Sequence, residues 1–318
     1  MRPPAHWQLG RRRRSRTWLA FAGAATVIAV LAVLLWFGQS GGEEQSEVLS
    51  SECATIDCVP QGGSEPTPLG QAPPQISGTA AAIVEGGCGA LIYGQRAHAE
   101  LPPASLTKIV TALVAVERMD PLTMVDVRVN SSLLAASTAS TVMGLEPGLR
   151  LSLRDLLHGL ILPSGNDAAI AIAEGVASSE PEFVALMNEY VAELRLRNTH
   201  FSNSHGLDQV GLYSSAFDMA MLGRALLADP ELSAIVRTER YQPAWDGPVL
   251  LNSNLLLTRY PAAIGVKIGF TDDAGQTIVG AARRGGRLLI VSVFGSSDRY
   301  LDAIALFEWA FAETEQEC

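Results

Sequence analysis

The chain has 318 residues, 48% of them hydrophobic, with a mean hydropathy of +0.20 and a net charge of −10; this excludes a disordered polymer and leaves room for one large or two medium domains. Six arginines (Arg2, Arg11, Arg12, Arg13, Arg14 and Arg16) precede the first carboxylate, Glu43, so the remainder holds 17 basic against 33 acidic residues, a net −16. A body this acidic repels a phosphate backbone, which excludes nucleic acid as a partner.

In chain order, residues 1–17 form a basic segment. From Trp18 to Phe37 no residue is charged, a run of about twenty, the length that spans a hydrocarbon core. With the arginines immediately before it, the positive-inside rule keeps the N-terminus in the cytoplasm and exports the rest. A cleaved signal peptide has a shorter apolar core, about 7–15 residues, ending in small residues. Here the run ends Leu35-Trp36-Phe37, so residues 18–37 are expected to be an uncleaved, single-pass anchor in the cell membrane. Residues 38–76, rich in Gly, Ser, Gln, Glu and Pro and without apolar periodicity, read as a flexible linker. In an oxidising compartment Cys53, Cys58, Cys88 and Cys318 can form disulfides; four cysteines allow three pairings, and spacing does not choose among them. No histidine accompanies them in a zinc pattern.

Residues 77–318 form the extracytoplasmic body. Thr79 to Glu85 and Ala90 to Tyr93 flank Gly86-Gly87-Cys88-Gly89 and read as a hairpin. Ser105 to Glu117 has apolar residues at helical spacing. Leu153 to Leu162, Ala168 to Ala177, Glu182 to Arg195 and Ser215 to Leu227 extend the helical middle, with Ser215 and Asp218 as a capping box. Ile264 to Phe270, Thr277 to Ala282 and Leu288 to Phe294 are short strands, and Tyr300 to Phe311 is a closing amphipathic helix. Strands at both ends around a helical middle make an α+β fold whose ends meet in one antiparallel sheet.

Only two of the 23 basic residues are lysine, Lys108 and Lys267. Unlike arginine, lysine can lose its proton when buried, so two lysines kept against such a bias point to chemistry. In Ser105-Leu106-Thr107-Lys108 the spacing of three puts a hydroxyl and an amine on one helical face, close enough for proton transfer. Ser164-Gly165-Asn166 follows Pro163 at a turn before a helix, and Lys267-Ile268-Gly269 ends a strand. Each of the last two is weak alone; their order and separation carry the argument.

Together the three motifs resemble those of the penicillin-recognising serine enzymes, and the surrounding sequence resembles the low-molecular-mass D-alanyl-D-alanine carboxypeptidases of peptidase family S11. The likeness runs through Pro103-Ala104-Ser105-Leu106-Thr107-Lys108-Ile109, Asp155-Leu156-Leu157-His158-Gly159-Leu160 and Ser164-Gly165-Asn166-Asp167-Ala168-Ala169. It continues in Asn203-Ser204-His205-Gly206-Leu207-Asp208 and Gly265-Val266-Lys267-Ile268-Gly269-Phe270-Thr271, covering about residues 79 to 312. The resemblance implies a five-stranded antiparallel sheet flanked by helices, with an all-helical subdomain. It implies Ser105 as nucleophile, Lys108 as its base, Ser164 as proton relay and Asn166 as orienting group. Lys267 would attract the substrate carboxylate, while Gly269 lets the ligand lie against the strand and Phe270 supplies an oxyanion-hole N–H together with that of Ser105. The implied substrates are peptidoglycan stem peptides and the implied covalent inhibitors β-lactams, with no metal or organic cofactor. Two other readings share the fold: a β-lactamase, and a wall-peptide-binding homologue that has lost turnover.

The family's third motif is normally Lys-Thr-Gly, and Ile268 replaces the threonine. Isoleucine keeps the β-branched shape but removes a hydroxyl donor to a carboxylate, a contact of about 1.5–3 kcal/mol, or roughly ten- to a hundredfold in acylation rate. Ile268→Thr should therefore raise both penicillin acylation and D-alanine release with little change in melting temperature; unchanged or lower rates in a folded variant would show that another group holds the carboxylate.

Overall fold

A computed structural model describes residues 70–315 and 318; the arginine cluster, the apolar run 18–37 and Cys53 and Cys58 lie outside them. β1 (Ala80–Glu85) and β2 (Leu91–Gln95) form the expected hairpin. Helix α1 (Lys108–Arg118) follows a 3₁₀ turn at Ala104–Thr107. Next come β3 (Met124–Asp126), α2 (Ser131–Thr138) and β4 (Arg150–Ser152), then α3 (Leu153–Ile161), α4 (Asn166–Ala177) and α5 (Glu180–Glu193). After them lie α6 (Ala216–Ala228), α7 (Pro230–Arg237), the two-residue strands β5 (Arg240–Tyr241) and β6 (Leu250–Leu251), and α8 (Leu256–Arg259). Strands β7 (Ala263–Thr271), β8 (Gly275–Arg284) and β9 (Arg287–Ser296) and helix α9 (Arg299–Glu313) complete the body.

The two ends of the body meet in one five-stranded antiparallel sheet of order β2-β1-β9-β8-β7. Strand periodicity divides its side chains between two cores. Ala80, Ala82 and Val84 of β1, Val279 and Ala281 of β8 and Ile290 and Phe294 of β9 join the larger core with the helical middle. Ala81, Ile83, Ile278, Leu289, Val291 and Val293 point the other way, onto Ala303, Leu306, Phe307 and Ala310 of α9. Helix α1 is buried on every side from Lys108 to Ala115, as its nearly continuous apolar sequence requires, and it is the rod around which the helical half is built.

Three details depart from the sequence reading. Ser105 sits not in the α-helix but in the 3₁₀ turn before it, entered through Ala104 at φ +52°. The capping box at α6 is half made: Ser215 Oγ accepts from the Asp218 N–H, but the Asp218 carboxylate turns to Asn198 N–H and Thr199 Oγ1. Residues 70–76, assigned to the linker, run along α9: Trp309 Nε1 donates to Gln71 O at 2.8 Å, and Ile76 packs against the rear core. Of the open cysteine pairings, Cys88 bonds Cys318, 230 residues on.

Candidate active site

Lys108 opens α1 and is wholly buried. Its Nζ lies 3.0 Å from Ser105 Oγ and donates to Asn166 Oδ1 and to the His205 carbonyl, both at 2.6 Å. A neutral amine has two N–H bonds and one lone pair. The two carbonyl oxygens can only accept, so they take the two N–H bonds and leave the lone pair for the serine hydroxyl. Burial, reinforced by the positive charge of Lys267, holds the Lys108 amine well below its ordinary range, against the opposing pull of the Asp167 carboxylate. Burial and the Lys108 charge push the His205 ring down to about 4, so it is neutral at physiological pH and does not compete for the proton.

The carbonyl of His205 is placed by a polar clasp on the 203–207 segment. Asn203 Oδ1 accepts from the N–H groups of His205 and Gly206, and Thr111 Oγ1 on α1 donates to the Ser204 carbonyl at 2.6 Å. Gly206 is at φ +90°, and a Cβ there would stand 2.0 Å from the Ala104 carbonyl oxygen, so only glycine closes this turn onto the serine.

The second amine comes from the edge strand β7. Lys267 is 1% exposed, and its Nζ donates to Ser164 Oγ and to the Ile268 carbonyl, both at 2.9 Å. Burial, with the Arg299 guanidinium second, pushes it down to about 7. Ser164 is presented from φ +69°, a strained conformation for a non-glycine residue, just before α4 carries Asn166 to Lys108. Gly269 has a second reason besides the one the sequence suggests. A Cβ on it would stand 2.8 Å from Ser105 N and 2.5 Å from Thr277 Oγ1, so the glycine lets the strand lie against the serine turn itself.

These residues open onto a cleft of about 380 Å³ whose lining includes Ser105, Ser164, Asn166, Ile268, Gly269 and Phe270, with Ser140, Thr141 and Arg299 also on its wall. All seven residues expected from sequence are therefore gathered at one place: Ser105, Lys108, Ser164, Asn166, Lys267, Gly269 and Phe270, the last 60% exposed at the rim. Sequence reasoning missed Arg299. Its guanidinium donates to the Gly269 and Thr277 carbonyls and to Gln276 Oε1, which ties the first residue of α9 to the strand edge. An arginine in a helix's first turn has no local signal that would single it out. Among the described residues no three His, Cys, Asp or Glu side chains form a metal-binding group.

A family model described as D-alanyl-D-alanine carboxypeptidase (peptidase S11) matches residues 67–298. The chain belongs to that family. It is 36% identical over 247 residues to the D-alanyl-D-alanine carboxypeptidase DacF of Bacillus subtilis, covering 74% of this chain and 62% of that one. It is 36% identical to DacA of Escherichia coli K12, over 75% and 62% of the two chains, and 35% identical to DacB2 of Mycobacterium tuberculosis, over 81% and 88%. The chain thus spans about three fifths of the length of the first two relatives. Among solved structures, a D-alanyl-D-alanine carboxypeptidase from M. tuberculosis superposes with a TM-score of 0.72 at 32% identity, over 79% of this chain and 98% of that one. The Streptomyces K15 DD-transpeptidase gives 0.72 at 28% identity, over 76% and all of that chain. The fold of the family, an antiparallel five-stranded sheet with helices on both sides, is the fold of this chain.

The depressed Lys267 amine makes stability depend on pH with a definite sign. In the unfolded chain the amine titrates near 10.4, and in the fold near 7. Between those values the unfolded chain binds a proton that the fold does not, so stability rises with pH across that window, by up to about 1.4 kcal/mol per pH unit, and is flat below it. Urea unfolding at pH 7 and pH 9 should show the wild type gaining stability relative to Lys267→Met. A difference between the two that stays constant with pH would mean the buried amine is not depressed.

Proposed function

We propose that the protein is a membrane-anchored serine D-alanyl-D-alanine carboxypeptidase acting on peptidoglycan stem peptides. The observation that carries this reading is the hydrogen-bond inventory of Lys108: two acceptors that cannot donate, and one hydroxyl left for the lone pair. Ser105 Oγ attacks the carbonyl carbon between the two terminal D-alanines while its proton passes to Lys108. The oxyanion is received by the backbone N–H groups of Ser105 and Phe270, each donor contributing about 10²–10³ in rate. Arg299 attracts the terminal carboxylate, and Lys267 joins it because the arriving negative charge favours the protonated amine. As the C–N bond breaks, a proton returns through Ser164 to the leaving amine, and free D-alanine departs. Water then attacks the acyl ester on Ser105 and gives its proton to Lys108, which hands it back to the serine oxygen. The cycle draws only on side chains, backbone and water. A β-lactam, whose strained amide and carboxylate mimic the dipeptide end, acylates the same oxygen.

Family membership and the geometry favour this reading over a β-lactamase, which needs fast deacylation, and over a wall-peptide-binding homologue without turnover. Attachment through residues 18–37, with the body outside the cell membrane, is supported by the length and flanks of that run and agrees with a disulfide between Cys88 and Cys318. Among the described residues no helix is long and apolar enough to cross a membrane.

Intact-mass measurement after penicillin treatment should show one added β-lactam, absent in Ser105→Ala, and the untreated protein should release D-alanine from a pentapeptide ending in D-Ala-D-Ala. Labelling that survives the substitution overturns the role of Ser105. Labelling without D-alanine release points to the binding homologue, and rapid nitrocefin turnover to the β-lactamase. The full chain should sediment with membranes; a soluble form starting after Phe37 would show cleavage.

A further inference from the structure

Outside the reacting groups, Asp167 is wholly buried in the first turn of α4. Its carboxylate makes no salt bridge among the described residues. Five donors converge on it instead: the N–H groups of Met143 at 2.9 Å, Gly144 at 3.0 Å, Leu145 at 3.1 Å and Ala168 at 2.9 Å, and the hydroxyl of Ser131. Three successive backbone N–H groups pointing at one anion form an oxygen-binding concavity. An unpaired carboxylate is expensive to bury, and what offsets that here is this set of bonds.

The segment so held is the lip of the cleft. Ala139, Ser140 and Thr141 line the cavity, while the next residues, Met143 and Leu145, plug into the main core. Further ties hold the lip, among them Asn166 N–H to the Thr141 carbonyl at 2.8 Å and Ser131 N–H to the Leu145 carbonyl at 3.0 Å. It also contains two residues in the left-handed region, Ala139 at φ +51° and Gly144 at φ +98°, so its course is not one that the chain adopts unaided. The turn of helix that anchors it is the turn that presents Asn166 Oδ1 to Lys108.

We infer that Asp167 is a positioning residue for the substrate: its carboxylate fixes the 139–145 lip to the first turn of α4 and so sets where Ser140 and Thr141 meet the bound peptide. This rests on the reading that the cleft binds D-Ala-D-Ala peptides and β-lactams. Asp167→Asn keeps the shape but turns one of the two accepting oxygens into a donor facing other donors. Ser105 and Lys267 keep their partners, while loss of the Asp167 charge lowers the Lys108 amine further, so binding should suffer and the acylation pH profile should move to lower pH with its plateau rate held.

The test uses the full-length chain and benzylpenicillin, separating the dissociation constant of the pre-covalent complex from the acylation rate constant by rapid kinetics. At the high-pH plateau of acylation, Asp167→Asn should raise the dissociation constant about tenfold or more and change the rate constant by less than about threefold. Hydrogen exchange should show the Met143, Gly144 and Leu145 amides losing protection while those of α1 keep theirs. A folded variant with an unchanged dissociation constant, or with protected lip amides, overturns the inference. If Asp167→Asn does not fold, Ser131→Ala decides. It removes a single donor and should raise the dissociation constant about threefold at constant acylation rate, and no change overturns the inference. Failure of the wild type to be acylated would sink the functional reading instead, and the exchange measurement would still decide what Asp167 holds.

Discussion

Lys108 and Lys267 are buried without a salt-bridging carboxylate among the described residues. An ammonium taken out of water in that way is penalised by several kcal/mol, and two of them in one cleft repel each other as well. The molecule resolves this by surrounding each amine with neutral oxygen acceptors: a side-chain amide, hydroxyls and backbone carbonyls. Such acceptors satisfy N–H bonds without restoring the charge that a carboxylate would stabilise. The negative charge that acts on Lys108, that of Asp167, is committed to its own five donors. Basicity at neutral pH is therefore a property of what the fold keeps away from the amines as much as of what it brings to them.

Holding two amines, two serines and an amide in register needs rigid supports, and they come from different ends of the chain. The 3₁₀ turn and the start of α1 supply Ser105 and Lys108 beside the larger core, α4 supplies Asn166 from the helical middle, and β7 supplies Lys267 from the sheet edge. Backbone approach closes the distances between them. Glycines at 206 and 269 let two segments touch the serine turn, and Ala104 and Ser164 adopt positive φ on either side of it. Non-glycine residues in that region cost of order 1–3 kcal/mol each and persist where packing dictates them. Here the packing is the almost solvent-free interior of α1 and the sheet.

Most of the fold was legible because long elements carry strong periodicity. The hairpin, α1, α3 to α6, the three closing strands and α9 all stand within a few residues of their expected bounds. The short elements were not: β3, β4, β5 and β6 have two or three residues each, and α2 and α7 eight, too few turns or alternations to register. The candidate site was legible through its lysines, since arginine bias made both stand out, and through three motifs whose order has meaning only as a set. What stayed hidden acts through backbone or through long-range packing. The His205 carbonyl has no side-chain signature, Arg299 is one arginine among twenty-one, and the close approach of Gly269 to Ser105 N joins positions 164 apart in sequence.

The bond between Cys88 and Cys318 joins the β1–β2 turn to the chain's last residue. The polypeptide between them is thus a closed covalent ring, and the whole cleft lies on it, from the serine turn to the arginine at the head of α9. A single cut by a protease anywhere in that ring opens it without detaching a piece. The sheet reinforces the result, because β9, from the far end of the ring, is hydrogen-bonded between β1 and β8. Under the proposed function, with the body among hydrolases outside the cell, a nicked molecule and an intact one would share the same assembled cleft.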